Sequence, residues 1–157
     1  MKRLFRWAID KEKERKVEVL QKVNLFNGLR RNLLMKLLVD LIEKEYPSGE
    51  VIFAEGDIGK ALYIILDGSV TITKRCGDDE TVLAELRSGE YFGELALIDH
   101  MPRYASARTS GKTTLLIMYR SYFDDLTQRS NTISSRILLN LVGLLSAYIR
   151  QKNEENR

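Results

Sequence analysis

The stretch from Phe92 to Ser106 carries the residues best suited to chemistry in this sequence of 157 residues. Residues 94–98 are predicted to form a single helical turn that the chain enters through Gly93. Free N–H groups at the start of such a turn attract anions, and a glycine lets a ligand approach the backbone closely. Arg103 follows with a fixed positive charge, and its guanidinium can bind two phosphate oxygens at once. The pattern therefore indicates a site for a phosphate group.

Glu94 places a carboxylate beside this predicted anion site, which narrows the choice of ligand. A carboxylate repels phosphate but accepts hydrogen bonds from a sugar hydroxyl. A phosphate together with a sugar indicates a nucleotide. Neither Arg103 nor the Gly93-Glu94 pair is informative alone, because both are common on protein surfaces, so the prediction depends on their combination. His100, which lies between them, is interpreted as a loop residue.

Two helices are predicted before this stretch. The first runs from Met1 to about Val23 and places its apolar residues on one side, namely Leu4, Phe5, Ala8 and Ile9. The second runs from Arg30 to Glu45, where apolar residues recur at helical spacing, namely Leu33, Leu34, Leu37, Leu38, Leu41 and Ile42. Pro47 and Gly49 are expected to prevent this helix from continuing.

The first helix is also the basic part of the chain. Residues 1–16 hold seven Lys or Arg and three Asp or Glu, so the net charge of +3 originates in this segment. A basic helix could lie weakly on an anionic membrane surface, with Trp7 as an interfacial anchor. The alternative is an ordinary packing helix with a solvated charged face, which Asp10, Glu12 and Glu14 favour because they dilute the positive charge. A basic stripe on a recognition element would be expected of a DNA-binding domain and is not found.

Between residues 50 and 120 the pattern changes to short β-prone runs. Five strands are predicted here: Val51–Ala54, Ala61–Leu66, Val70–Lys74, Thr81–Leu86 and Thr113–Tyr119. Asp67-Gly68 predicts a tight hairpin, because both central residues of such a turn need positive φ. Several short strands at this spacing indicate an antiparallel sandwich, jelly roll or small barrel. Helices are predicted again at residues 121–128 and from about 130 to 153, and the last one carries a wide apolar stripe that must be covered.

The composition excludes several classes of protein. The length suits one domain with one core, and no apolar run approaches the roughly 20 residues of a membrane-spanning helix. The N-terminus lacks the features of a signal peptide, so the cytoplasm is the expected compartment. Cys76 is the only cysteine and His100 the only histidine, so neither an internal disulfide nor a multi-histidine metal site is expected. A cupin-type metalloenzyme is therefore set aside.

The sequence FGELALIDHMPRYAS, residues 92–106, resembles the phosphate-binding cassette of cyclic nucleotide-binding domains. This family includes regulatory subunits of cAMP-dependent protein kinase, bacterial catabolite activator proteins and cyclic nucleotide-gated channels. The resemblance extends to YPSGEVIFAEGDIGKALYIILDGSVTITK, residues 46–74, which is similar to the first half of the family's β-roll, and to VNLFNGL, residues 23–29, which is similar to its leading helical segment. It covers roughly residues 18 to 150.

The resemblance implies a mainly β protein of the α+β class, with an eight-stranded antiparallel β-roll of the jelly-roll type. Helices are expected on both sides of the roll, with the C-terminal ones starting at about residue 121. We accordingly divide the chain into an N-terminal amphipathic helix, residues 1–22, and a cyclic nucleotide-binding domain, residues 23–157.

The resemblance also implies roles for individual residues. Glu94 would bind the ribose 2′-hydroxyl, Arg103 the exocyclic phosphate oxygens, and the backbone N–H groups of Ala96 and Tyr104 would complete the phosphate site. The full expected ligand-binding set is Gly93, Glu94, Leu95, Ala96, Arg103, Tyr104 and Ala105 of the cassette, with Val82 and Leu83 packing against the base. Gly56, Gly59 and Gly68 match the family's structural turn glycines.

Tyr104 departs from the family pattern, which usually has Ala, Ser or Thr after the cassette arginine. Thr at this position tends to accompany a preference for cGMP. A tyrosine could crowd the base, stack on it or donate its hydroxyl to it. The default ligand is therefore cAMP, with cGMP as the other candidate, and no cofactor or metal is expected.

The resemblance implies a sensor or regulatory module that is not an enzyme. Ligand would close the C-terminal helix over the pocket, and a protein partner or a second copy would detect that movement. Tyr148 is a candidate lid residue, or else a tyrosine of the core or of a dimer interface. The alternative function is a nucleotide-independent β-roll that serves as an interaction or dimerisation scaffold. Direct DNA binding is not expected, because no helix-turn-helix domain follows the last helix.

Overall fold

The computed structural model of the protein describes residues 2–156, with side chains from Arg6 onward. These residues form eight strands in two sheets, preceded by two α-helices and followed by two more. The helices are α1 (Lys2–Lys22), α2 (Arg31–Asp40), α3 (Arg120–Arg129) and α4 (Asn131–Glu155). The strands are β1 (Ile42–Tyr46), β2 (Val51–Phe53), β3 (Ala61–Asp67), β4 (Ser69–Cys76), β5 (Asp79–Arg87), β6 (Tyr91–Phe92), β7 (Ser106–Thr109) and β8 (Thr113–Tyr119). Short 3₁₀ turns occur at Asn24–Phe26 and Glu94–Leu97.

The two sheets have the strand orders β1-β8-β3-β6 and β2-β7-β4-β5, and every pair of neighbouring strands is antiparallel. The expected eight-stranded antiparallel β-roll with helices on both sides is therefore confirmed. Three of its strands, β1, β6 and β7, were not predicted from the local sequence pattern.

Strand β3 in the first sheet is buried on both faces, to which its side chains point alternately. On β3, Leu62, Ile64 and Leu66 pack with the helices, whereas Ala61 and Ile65 point between the two sheets. The expectation of one core was therefore wrong. One apolar cluster joins the helices to the outside of this sheet, and a second fills the roll.

The second helix was predicted too long. It ends at Asp40, and Leu41 is already extended. Residues 42–46 form β1 instead, where Ile42 pairs with Ile117 of β8 and is largely exposed. Pairing with β8 satisfies the backbone of this segment, and that tertiary interaction overrides the local helical periodicity.

The hairpin predicted at Asp67-Gly68 was also wrong. Strands β3 and β4, which flank it, belong to different sheets, so the chain passes from one sheet to the other at this point. Gly68 has a φ of 92°, but Asp67 does not have positive φ. A Cβ at Gly68 would lie 2.6 Å from the Lys112 carbonyl oxygen, so glycine is required here for close packing. The two-residue hairpin occurs at Gly77-Asp78, between β4 and β5.

Helix α1 contacts the domain through its second half. Val17, Val19 and Leu20 are buried in the cluster beneath the helices. Ala8 and Ile9 were predicted to lie on the packed side and are exposed. The side chains of Leu4 and Phe5, predicted for the same side, lie outside the described residues. Trp7 is exposed, with the Lys11 ammonium 5.0 Å from its ring centroid.

Helix α4 packs on the rest of the domain through some of its apolar residues. Ile133, Ile137 and Leu141 are buried in the core, and Asn140 donates hydrogen bonds to carbonyl oxygens in the 3₁₀ region near residue 25, at 2.9 and 2.8 Å. By length and composition alone, α4 could cross a membrane, which corrects the expectation that no segment could. The first half of α4 packs in the domain through these buried residues, whereas residues 147–155 are exposed.

Candidate functional site

A cleft of about 540 Å³ lies between α4 and residues 92–106, the segment that we call the cassette. Its volume is within the range of roughly 300 to 1,000 Å³ that small-molecule sites occupy. The seven cassette residues of the expected ligand-binding set all line this cleft. Four residues of α4 form the opposite wall, namely Leu141, Leu144, Leu145 and Tyr148.

The local structure of the cassette matches its sequence. Strand β6 ends at Phe92, and Gly93 adopts the left-handed conformation with φ 77° and ψ 20°. The chain then forms the 3₁₀ turn Glu94–Leu97, so the predicted helical turn is confirmed. Ala96 and Leu97 are buried and fix the turn to the domain. A Cβ at Gly93 would meet the Arg103 Nη1 at 2.6 Å, so only glycine fits here without a shift.

The Arg103 side chain spans the cassette and ends between Gly93 and strand β3. Its Nη1 donates to the Gly93 carbonyl oxygen at 3.1 Å, and its Nη2 donates to the Ala61 carbonyl oxygen at 2.8 Å. Its Cζ lies 4.1 Å from the centroid of the Phe53 ring, a cation–π contact. Burial lowers the pKa of Arg103 below its ordinary value, chiefly by desolvation. An arginine nevertheless keeps its charge in proteins, so the site contains a half-buried cation.

The Arg103 backbone is held by the loop between β2 and β3. Its N–H donates to the Asp57 carbonyl oxygen at 2.7 Å, and its own carbonyl accepts from the Gly56 N–H at 2.9 Å. Gly59 packs closely at the same place, since a Cβ there would lie 2.9 Å from the Cβ of Ala96 and 3.3 Å from the Cζ of Arg103. Gly59, which was expected to serve only a turn, therefore also lines the cleft.

Arg120 joins the cassette to the C-terminal helices, and sequence reasoning missed it. Its guanidinium donates from Nη1 to the Asp99 carbonyl oxygen and from Nη2 to the Gly59 carbonyl oxygen. Its backbone N–H donates to the Lys60 carbonyl oxygen at 2.9 Å. An arginine at the start of a helix gives no sequence signal for such contacts, because both acceptors are backbone groups in distant loops.

Glu94 lines the cleft with a partly buried carboxylate. Within the described residues it takes part in no ion pair, so its oxygens remain available to a ligand. Burial raises the pKa of Tyr91 to about 12, and the negative charge of Glu94 is a second, smaller cause of this rise. The site thus combines a cation at Arg103 with an unpaired carboxylate at Glu94.

The two backbone donors expected in the cassette differ in their contacts. The Ala96 N–H donates to the Gly93 carbonyl oxygen at 3.2 Å, closing the 3₁₀ turn. The Tyr104 N–H has no acceptor in the part of the chain that the structure describes. Tyr104 therefore presents the backbone donor that is open to an anion.

Val82 and Leu83 are exposed on β5, and neither lines the cleft. The pairing of β4 with β5 shifts register beside them, since Ile72 pairs with Ala84 but Thr73 pairs with Val82. A bulge of this kind redirects the side chains of the strand that contains the extra residue. Ile72 of β4 lines the cleft instead, and the sequence offered no signal that distinguishes it from other apolar strand residues.

The side chain of Tyr104 is 73% exposed at the edge of the cleft. The Lys74 ammonium lies 3.7 Å from its ring centroid and donates to its carbonyl oxygen at 2.7 Å. Lys74 also forms an ion pair with Glu55 at 3.0 Å. A hydrogen bond from the Arg75 N–H, and after it one from the Lys74 ammonium, holds the pKa of the Glu55 carboxyl below its ordinary value.

Comparisons with known proteins agree with this geometry. The sequence model of the cyclic nucleotide-binding domain matches residues 43–130. The chain is 33% identical over 118 residues to the cAMP-dependent protein kinase type II regulatory subunit of Drosophila melanogaster, covering 67% of this chain and 31% of that protein. It is 35% identical over 132 residues to the cyclic AMP receptor protein of Thermus thermophilus, covering 83% and 59%. The chain thus spans less than two-thirds of either relative.

A solved structure shares the fold. The catabolite activator protein of Thermus thermophilus superposes with a TM-score of 0.76 at 34% identity, over 84% of this chain and 61% of that chain.

Proposed function

Since the chain belongs to the cyclic nucleotide-binding domain family, we propose that it binds a cyclic nucleotide in the cleft and acts as a regulatory module rather than an enzyme. The observation that carries the proposal is the joint position of Arg103 and Glu94 on one wall of a cleft of suitable size. The default ligand is cAMP, because the names of both curated relatives refer to cAMP. No cofactor is proposed.

The phosphate is assigned to Arg103 and the open Tyr104 N–H. Two guanidinium N–H groups of Arg103 already donate to carbonyl oxygens, and the Tyr63 hydroxyl is a further hydrogen-bond partner, which orients the side chain. The guanidinium has more donors than these bonds use, and the others are assigned to phosphate oxygens. Because the guanidinium is held in advance, little conformational entropy is lost when the ligand binds. A half-buried cation also interacts with an anion more strongly than one in water.

The ribose is assigned to Glu94. Its carboxylate accepts hydrogen bonds, and a 2′-hydroxyl is the donor that a ribonucleotide supplies. The repulsion between carboxylate and phosphate then orients the ligand, with its sugar toward Glu94 and its phosphate toward Arg103. The base is left to the apolar part of the cleft, where Ile72 and the α4 wall lie.

Helix α4 is proposed to transmit the binding state. It lines the cleft through Leu144 and Tyr148, and Asn140 on the same helix donates a hydrogen bond to the 3₁₀ turn Asn24–Phe26. A ligand can bias the position of α4 only to the extent that it binds one arrangement better than another. Contacts between ligand and α4 provide such a difference.

The partner that detects α4 is proposed to be a protein, and a second copy of this chain is the simplest choice. Leu139, Val142 and Ile149 on α4 are each more than half exposed. Together with Ser146 they recur at alternating spacings of three and four residues, which is the pattern of a helix-pairing seam. Direct DNA binding is not proposed, a weak membrane contact through α1 stays a prediction, and the cytoplasm remains the predicted compartment.

The test of binding is a calorimetric titration of the whole chain with cAMP and with cGMP. Saturable binding of either ligand supports the proposal, whereas a chain that binds neither supports the alternative of a nucleotide-independent scaffold.

The test of transmission is hydrogen exchange along α4 with and without ligand. We expect altered protection around residues 141–148 in the wild type and a reduced change in Tyr148→Ala. Unchanged protection of α4 at saturation would contradict transmission through this helix.

The second-copy proposal is tested by sedimentation velocity. We expect the wild type to associate and Val142→Glu to be monomeric, because the charge would fall within the proposed seam. Ala147→Glu, at an exposed position of α4 outside this spacing, tests whether any added charge has the same effect. A monomeric wild type with and without ligand would contradict this choice of partner.

A further inference from the structure

We propose that the Tyr104 ring, held in place by Lys74, is the platform on which the base stacks, and that it makes the site selective for purine over pyrimidine cyclic nucleotides. This inference rests on the proposed function, since it assigns the part of the ligand that Arg103 and Glu94 do not bind. It concerns the residue at which the cassette departs from its family pattern.

The position of the ring supports this role. Tyr104 lines the cleft, whereas Lys74 does not. The Lys74 ammonium lies 3.7 Å from the ring centroid, so it occupies one face of the ring and leaves the other face for a base. An aromatic face at the edge of a cleft suits a flat, apolar group such as a base.

The ring is held by a network, although its side chain is exposed. Lys74 donates to the Tyr104 carbonyl oxygen at 2.7 Å and pairs with Glu55 at 3.0 Å. The second carboxylate oxygen of Glu55 accepts from the Arg75 N–H at 3.0 Å, and the Glu55 N–H donates to the Ser106 hydroxyl at 2.8 Å. The backbone on both sides of Tyr104 is thus anchored, and a base that stacks on the ring orders little that is not already ordered.

The wall formed by α4 supplies apolar surface for the base. Leu144, Leu145 and Tyr148 of α4 face the cleft across from the cassette and offer mostly apolar surface. The ammonium of Lys152 lies 5.9 Å from the centroid of the Tyr148 ring, so a second aromatic ring backed by a cation stands on this side. A base between Tyr104 and α4 would contact both walls, and a purine would cover more of the Tyr104 face than a pyrimidine.

The test measures affinities of four ligands, cAMP, cGMP, cCMP and cUMP, for the wild type, Tyr104→Ala, Tyr104→Phe and Lys74→Met. Stacking contributes enough that its removal should weaken purine binding by about 5- to 150-fold in Tyr104→Ala. Tyr104→Phe keeps the ring and should bind purines like the wild type. Lys74→Met should lose about threefold or more, because the ring is no longer held. The wild type should bind the pyrimidine ligands more weakly than the purine ligands, and Tyr104→Ala should bind the two classes with nearly equal affinity.

Two results would overturn the inference while leaving the proposed function intact. One is a Tyr104→Ala protein that binds purines as tightly as the wild type, or more tightly, which would show that the tyrosine crowds the base. The other is an equal loss for purines and pyrimidines. A wild type that binds none of the four ligands would instead overturn the proposed function itself, and the inference with it. Because Tyr104 is exposed, equal melting temperatures of wild type and Tyr104→Ala should show that folding is unaffected.

Discussion

The Nη1 atom of Arg103 lies 3.1 Å from the carbonyl oxygen of Gly93, so the two ends of the cassette are joined by the cation assigned to the phosphate. The same guanidinium is bonded to Ala61 of the central strand β3. A ligand that binds Arg103 is therefore coupled directly to the helical turn after Gly93 and to the core of the roll.

The first prediction concerns Glu94 and the ribose. The 2′-deoxy analogue of cAMP should bind the wild type about 10- to 150-fold more weakly than cAMP, because a hydrogen bond to a charged group is lost. In Glu94→Ala the two ligands should bind with nearly equal affinity, since the acceptor is gone. Calorimetric titrations of both ligands against both proteins measure this coupling. An unchanged penalty for the deoxy ligand in Glu94→Ala would place the 2′-hydroxyl elsewhere.

The second prediction concerns the space around Gly59. A Cβ there would lie 2.9 Å from the Cβ of Ala96, so Gly59→Ala should overpack the cassette, lower the melting temperature and weaken ligand binding. Overpacking of this kind typically costs about 1 to 3 kcal/mol. Gly111→Ala is the matched control, because a Cβ at Gly111 meets nothing within 4 Å. Equal behaviour of the two variants would show that the contact between Gly59 and the cassette is unimportant.

Much of the fold was predictable because its signals are local. The strands β2, β3, β4, β5 and β8 are β-prone runs between turn residues, and the cassette turn follows from Gly93 and the residues after it. The missed strands β1, β6 and β7 are short, and they exist through pairing with distant strands. Ile42 shows the limit most clearly, since its helical spacing with Leu38 is real but its pairing with Ile117 determines the structure.

The site was predictable to the same degree. Residues within the cassette could be placed at one site from their pattern and from the resemblance, and their contacts with a ligand stay predictions. Arg120, Ile72 and Gly59 could not, because their place at the cleft depends on contacts between segments far apart in the chain. Val82 and Leu83 lie outside the cleft, beside a bulge in β5 that alternation alone does not reveal.

The third prediction concerns Arg120, which links α3 to the cassette. Arg120→Met removes the donors to the Asp99 and Gly59 carbonyl oxygens, and the loss of such charged hydrogen bonds costs about 1.5 to 3 kcal/mol. In the wild type the Gly59 N–H donates to the Met101 carbonyl oxygen and the Arg103 N–H to that of Asp57. We expect both N–H groups to exchange faster in Arg120→Met, because the two loops are no longer joined. Arg129→Met, an exposed arginine of α3, should leave these rates unchanged. Equal rates in wild type and Arg120→Met would contradict the link.

The fourth prediction is a loss of stability in alkaline solution. Burial raises the pKa of Tyr91 to about 12 and that of Tyr122 to about 12, from an ordinary value near 10. Because the folded pKa is the higher one, the stabilisation is complete below pH 10 and is lost as the pH rises from 10 to 12. Melting temperatures across this range should fall less steeply in Tyr91→Phe, and least steeply in the double variant with Tyr122→Phe. Identical slopes in all three proteins would show that these tyrosines do not titrate as described.

The measurement that tests the central claim most directly is the affinity of cAMP and cGMP for the wild type, Arg103→Met and Arg108→Met. Arg108 is an exposed arginine of β7 outside the cleft, so it controls for a general loss of positive charge. Removing one partner of a buried charge pair typically costs about 2 to 5 kcal/mol, which corresponds to about 30- to 5,000-fold weaker binding. We predict this loss in Arg103→Met and wild-type affinity in Arg108→Met. A wild type that binds neither nucleotide, or an Arg103→Met protein that binds as tightly as the wild type, would contradict the account.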